Sequence, residues 1–257
     1  MKRVDLNCDM GESFGAWRMG DDEALLEHVS SANLACGFHA GDPSVMRRTL
    51  CAAAARGVAV GAHPGLPDLA GFGRRNMDIA PDTVYDIVAY QIGALAGLAR
   101  TAGIRLAHVK AHGALYNMAV QDAALARAIA RAVRDVDSTL IFFGLPGSPL
   151  IEEADRIGLR TACEVFADRS YERDGSLTPR RTPGAFVEDP ELAARRAVRM
   201  VLENLVEARD RTPVHVRADT ICVHGDGPHA AAIARLLRLR LEEAGIRILA
   251  PGAPAKP

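Results

Sequence analysis

HVKAHGALYN, residues 108–117, begins as a strand and breaks into a polar, aromatic segment. Leu106, His108 and Lys110 alternate with Ala107, Val109 and Ala111 until Gly113 ends the run. Strand alternation carries His108, Lys110 and His112 to one face. A basic row on a buried strand face is costly unless water, a substrate or acidic partners receive it. In a parallel β/α barrel, inward-facing residues at the carboxyl ends of the strands line the active site. Lys110 and His112 are therefore site candidates. His108 lies deeper and reads as a core histidine.

Outward from this stretch, strand and helix alternate along the whole chain. Strands are expected at residues 4–8, 31–36, 58–62, 139–143, 160–167 and 220–224, with an eighth at 246–249. Helices are expected between them: from Asp21 to near His28, from Pro43 to Gly57, over 81–102, from Asp122, up to Gly158, over 190–208, and from Pro228 to Gly245. Asp42 ahead of Pro43 is an N-cap followed by proline in the first turn. Gly57, Gly103, Gly158 and Gly245 each mark a return from helix to strand. Repeated strand–helix units indicate a parallel sheet. A closed barrel and an open doubly wound sheet share this alternation. The (β/α) barrel with seven or eight parallel strands is favoured, because polar strand ends recur in nearly every unit, as if around one mouth. Residues 1–250 form a single barrel domain, and 251–257 a proline-rich tail.

The 257 residues are 49% hydrophobic and 25% charged with a formal net charge of -1, an ordinary globular composition. Near-neutral charge argues against nucleic-acid binding. The charged start lacks an apolar signal segment, and no run reaches membrane-spanning length, so a cytoplasmic protein is expected. Five cysteines without C-x-x-C spacing read as small core residues rather than disulfides or a cysteine zinc site.

The strand ends gather Asp5, Asn7, Asp9, Glu12, His39, Asp42, His63, Lys110, His112, Glu164, Asp168, His224 and Asp226. Four histidines at four strand ends would face one basin in a closed barrel. Histidine serves acid–base work near neutrality, oriented by carboxylates. No metal is assigned: there is no H-x-x-x-H helix motif, and His108 and His112 would lie about 13 Å apart on a strand at ~3.3 Å per residue. There is no G-x-x-x-x-G-K-[ST] phosphate loop and no G-x-S-x-G elbow. Two long loops, 63–75 and 164–180, are of a length that is usually functional.

These motifs resemble one family. VDLNCDMGESFG (4–15), SSANLACGFHAGDP (30–43), GAHPGLPDLAGFGRR (61–75), HVKAHGALYN (108–117), EVFADRSYERDGSLTPR (164–180) and HGDGP (224–228) are similar to the LamB/YcsF family over nearly the whole chain. Its members are known as lactam utilisation proteins and as the A component of prokaryotic 5-oxoprolinase. The resemblance implies a barrel related to polysaccharide deacetylases and certain glycosidases. It also implies ATP-dependent opening of 5-oxoproline to L-glutamate with two further subunits, B and C. ATP, with Mg2+, would then be the cofactor, its use shared with the partners, and no firm protein-bound metal is expected.

On this reading His112, Lys110, His63 and His39 are acid–base and oxyanion-stabilising groups. Asp9, Glu12 and Glu164 are bases or orienters. Arg74, Arg75 or Arg180 holds the substrate carboxylate, and Asn7 and His224 also contact substrate. Because a polar basin packs loosely, replacing His112 is expected to cost turnover rather than fold. The rival readings are a metal-dependent deacetylase of the related barrel class and a non-catalytic subunit that only docks or delivers substrate.

Overall fold

The computed structural model describes residues 1–223 and 230–253. Its strands are β1 (Arg3–Met10), β2 (Ser31–Ala35), β3 (Ala59–His63), β4 (His108–Lys110), β5 (Ile141–Gly144), β6 (Arg160–Phe166), β7 (Leu205–Glu207), β8 (Pro213–His215), β9 (Thr220–Val223) and β10 (Arg247–Ile248). Its helices are α1 (Asp22–Leu26), α2 (Pro43–Ala55), α3 (Pro81–Thr101), α4 (Gly113–Ala119), α5 (Ala123–Val136), α6 (Pro149–Arg156), α7 (Pro190–Glu203) and α8 (Ala230–Glu243). Strands β1 to β6 pair in sequence order, β6 pairs with β9, and β9 pairs with β1, all in parallel. The sheet thus closes as a seven-stranded barrel. The eighth strand exists but adds to the outer start of β1 rather than widening the barrel.

The helix starts follow their local chemistry. Asp42 accepts from the Ser44 and Val45 N–H groups, Asp122 from Ala124 and Leu125, and Asp189 from Glu191. Each satisfies donors that the first helical turn leaves unpaired. The apolar faces of α3 and α5 pack on the barrel through Val84, Val88, Ile92, Leu95, Leu125, Ile129 and Val133, all buried.

Two segments depart from the sequence reading. The β4 ladder ends at Lys110, and His112 is the residue before α4, in extended backbone with its N–H on the Pro64 carbonyl at 2.8 Å. The 113–119 segment is helical, a turn too short for periodicity to reveal. The helix expected over 190–208 stops at Glu203, where Asn204 adopts φ +55, and the chain turns into the antiparallel β7–β8 pair. An asparagine tolerates this left-handed stop.

The inside of the barrel is polar in layers. Asp5, Asn7 and Asp9 point inward from β1. At the bottom, Asp5 accepts from the hydroxyls of Ser30, Ser31 and Thr220 at 2.6–2.8 Å. Above it, Asn7 donates to Thr220 (2.7 Å) and Glu164 (3.2 Å) and accepts from Asn33 (2.7 Å). His108 lies in this layer, stacked on Phe143 at 4.3 Å, with its Nε2 2.7 Å from Asn33 Oδ1. The ring fits because Gly61 stands opposite; a Cβ there would overlap it. Burial, then the Lys110 charge, pushes His108 down to about 3, so it is a neutral core group, as its depth suggested.

Candidate active site

The top layer opens to solvent at the carboxyl ends of the strands. Lys110 Nζ sits at its centre, 2.8 Å from Glu164 Oε1, 2.9 Å from Asp9 Oδ1 and 3.0 Å from Cys222 Sγ. Burial opposes its charge, but Asp9, Cys222 and Glu164 outweigh that and hold the ammonium well above its ordinary pKa. Lys110 is therefore a fixed cation and not a proton donor near neutrality. Glu164 is fully buried beneath it, whereas Asp9 reaches the cleft.

Beside this group, four strand ends bring His39, His63, His112 and Glu12 together. His63 Nε2 lies 3.0 Å from His112 Nδ1 and 3.4 Å from Asp9 Oδ1. The His39 ring stacks on His112 at 3.7 Å and 3°. Glu12 Oε1 is 3.9 Å from His112 Nδ1. The outer nitrogens are spoken for: His63 Nδ1 is 2.8 Å from the Lys110 carbonyl and His112 Nε2 is 2.8 Å from the Phe72 carbonyl. Both ring nitrogens of His39 lack a hydrogen-bond partner among the described residues. Burial first, then the neighbouring imidazoles, pushes His39 and His112 well below the ordinary histidine range. Gly73, at φ +62, lets the 63–75 loop close over the rings; a Cβ there would come within 2.7 Å of His39 Cβ.

One potential ligand atom from each of Glu12, His39, His63 and His112 lies within 4.8 Å of the others. Local spacing could not have shown this set, because each residue follows a different strand, β1 to β4. The basin is also not loose: His39, His63 and His112 are all buried to 3% exposure or less. Replacing His112 therefore perturbs packing as well as chemistry, contrary to the sequence-based expectation.

A small cleft opens above Asp9, His63, Lys110 and His112. Tyr116, Asn117, Phe166 and Leu177 supply its walls, and Arg74, Arg169 and Arg180 its positive rim. The Arg74 guanidinium lies 4.8 Å from the Phe72 ring centroid and that of Arg180 5.4 Å from Phe186. Arg169 was not singled out from sequence. It is buried, donates to the Thr178 carbonyl (2.6 Å) and the Ala185 carbonyl (3.4 Å), and lies 5.0 Å from Phe186. Burial and the Arg180 charge lower it to about 10, which leaves it cationic at neutral pH. Its only sequence signal was membership of the 164–180 loop.

Of the residues expected at the site, Asp9, His63, Lys110, His112, Arg74 and Arg180 line the cleft, and Glu12, His39 and Glu164 lie directly behind it. Two lie elsewhere. Asn7 is one layer down, its amide used within the barrel. Arg75 is turned outward and paired with Asp68, whose carboxylate also caps Gly71 N–H. Asn7 failed because alternation gives the face but not the depth; Arg75 failed because loop sequence does not fix which arginine faces in. His224 and Asp226 fall outside the described residues, as do residues 254–257 of the tail. No described helix is long and apolar enough to cross a membrane.

The chain as a whole has clear relatives. A 5-oxoprolinase A subunit from Bordetella pertussis (strain Tohama I) is 62% identical over 247 residues, 96% of this chain and 98% of that one. A crystal structure of a lactam utilization protein from Thermus thermophilus superposes with a TM-score of 0.92 at 53% identity, covering 96% of this chain and 99% of the other. A family 4 carbohydrate esterase from Streptomyces lividans shares the barrel alone, with a TM-score of 0.52 at 11% identity over 96% and 91% of the two chains. The LamB/YcsF family model matches residues 4–255, so the chain belongs to the LamB/YcsF family.

Proposed function

We propose that this chain is the A component of an ATP-dependent 5-oxoprolinase, whose cleft receives 5-oxo-L-proline and takes part in opening it to L-glutamate. The observation that carries this reading is the pairing of an arginine rim with a floor of Asp9, Lys110 and imidazoles. The substrate has one carboxylate and one lactam carbonyl at opposite sides of a small ring. Arg169 and Arg180 match the carboxylate, because guanidinium groups recognise it bidentately. The floor matches the carbonyl. The relatives bearing the 5-oxoprolinase name over nearly the full chain support the same substrate.

A five-membered lactam is a stable, poorly electrophilic amide. Transfer of the terminal phosphoryl group of ATP to its carbonyl oxygen makes the carbon electrophilic and gives that oxygen a leaving group. Water then adds to the carbon, the C–N bond breaks as the ring nitrogen takes up a proton, and the γ-glutamyl phosphate so formed is hydrolysed by a second water to glutamate and phosphate. In this reading Asp9, the carboxylate that reaches the cleft, takes the proton of the water. Lys110 forms the electropositive pole at the reacting oxygen, with the neutral imidazole cluster beside it; such electrostatic stabilisation usually dominates acyl chemistry. Glu164 and Glu12 orient Lys110 and the imidazoles. The sequence carries no phosphate loop. Subunits B and C therefore complete the site for ATP and Mg2+, which sets the reaction in the cytoplasm.

The test is ATP-dependent glutamate formation from 5-oxoproline by the purified chain, alone and with B and C subunits added. Turnover is expected only in the mixture. Robust turnover by the chain alone would defeat the need for partners. Full activity of a mixture carrying D9N and H112A would reduce this chain to a docking role.

A further inference from the structure

The imidazole cluster holds an electrostatic conflict that its hydrogen bonds do not resolve. A backbone carbonyl only accepts, so His63 donates from Nδ1 to Lys110 O, and His112 donates from Nε2 to Phe72 O. In the neutral rings the remaining nitrogens, His63 Nε2 and His112 Nδ1, are bare lone pairs. They face one another at 3.0 Å. His39, fully buried against the same pair, adds two ring nitrogens without a partner among the described residues. Glu12 Oε1 closes the group from the side of β1 at 3.9 Å. Converging lone pairs and a carboxylate, all buried, call for a positive charge between them.

We propose that Glu12, His39, His63 and His112 form a divalent-cation site built for Zn2+. Three imidazoles and one carboxylate suit a first-row transition metal, whereas Mg2+ and Ca2+ take oxygen ligands. Zinc–nitrogen bonds of about 2.0–2.1 Å in a tetrahedron put ligand atoms about 3.3 Å apart. The 3.0 Å separation of His63 and His112 is already close to that; His39, stacked on His112 at 3°, turns out of the stack to bring a nitrogen to the ion, within a set that already spans only 4.8 Å. The carbonyls of Lys110 and Phe72 do what outer partners of metal-bound histidines do: they fix the tautomer and aim the free nitrogen inward. Lys110 does not repel the ion strongly, because Asp9 and Glu164 already match its charge. Asp9 Oδ1, 3.4 Å from His63 Nε2, stands beside the ion at the cleft and faces any ligand in an open position. In the proposed function this ion adds its charge to that of Lys110 at the floor of the cleft; its binding is nonetheless a property of this chain alone.

The experiment is direct. The tag-free, full-length chain is stripped with chelator, incubated with Zn2+, desalted and analysed for metal. About one Zn2+ per chain is expected. A double variant, H39A with H112A, should hold less than a tenth of that. E12Q should weaken Zn2+ binding by more than the ~10–100-fold that outer-shell partners command. Circular dichroism checks that each variant folds. If the double variant does not fold, X-ray absorption of the zinc-loaded wild type decides, with several imidazole nitrogens at about 2.0–2.1 Å expected. Less than a tenth of an equivalent in wild type, equal retention by folded variants, or a zinc shell without imidazole would overturn the site. Stoichiometric zinc in a chain whose complex does not turn over 5-oxoproline would uphold the site and retire the proposed function. An active complex in which this chain holds no metal would do the reverse.

Discussion

Lys110→Met tests what holds the floor of the cleft together. The lysine is 4% exposed and bonds two carboxylates, Glu164 at 2.8 Å and Asp9 at 2.9 Å. At an effective dielectric of ~20, each pair carries about 6 kcal/mol of gross attraction at this separation. Desolvation of the three charges offsets most of that. The cost of removing the cation is set instead by what remains: two carboxylates sharing one buried space without a counter-charge. Breaking a buried pair by removing one partner costs about 3–5 kcal/mol. Methionine keeps the length and apolar stem, so the loss reports charge rather than volume. The assay is urea unfolding at pH 7.5 of wild type, K110M, E164Q and K110M with E164Q. K110M should lose about 3–5 kcal/mol. The double variant should recover at least ~1.5 kcal/mol relative to additivity, within the range seen for groups in one network. A loss below about 1 kcal/mol, or strict additivity, would show that the carboxylates do not depend on Lys110.

Two further predictions concern the bottom and the rim. Burial pushes the Asp5 carboxyl up to about 6 from 3.8, so between those values the folded chain binds more protons than the unfolded one. Stability from this group is therefore full below about pH 4 and lost as pH rises through 6, by about 3 kcal/mol in all. The unfolding free energy of wild type minus that of D5N should fall by that amount between pH 4 and 7.5, and a difference that stays flat would refute the assignment. Arg180→Ala should raise the KM for 5-oxoproline by ~10–100-fold in the reconstituted complex with a smaller change in kcat, the worth of a charge-assisted contact. Arg75→Ala, at an arginine that does not line the cleft and pairs with Asp68, is the control, and an equal effect there would remove Arg180 from the substrate contact.

The amino-acid sequence by itself determined the strand–helix alternation, the cap at Asp42 and the shared face of His108 and Lys110 on β4. These are local matters: a period, a capping side chain, a turn residue. It also placed His39, His63 and His112 at strand ends, because polar residues collect after the strands. Only the tertiary structure decided that seven strands close the barrel while the eighth lies outside it, since closure depends on β9 pairing with β1 across more than 200 residues. The depth of Asn7, the outward turn of Arg75 and the inward turn of Arg169 were settled by register and loop path, which no spacing encodes. The same holds for the imidazole cluster. Its four members come from four strands, and what they can bind depends on which ring nitrogen each backbone carbonyl holds.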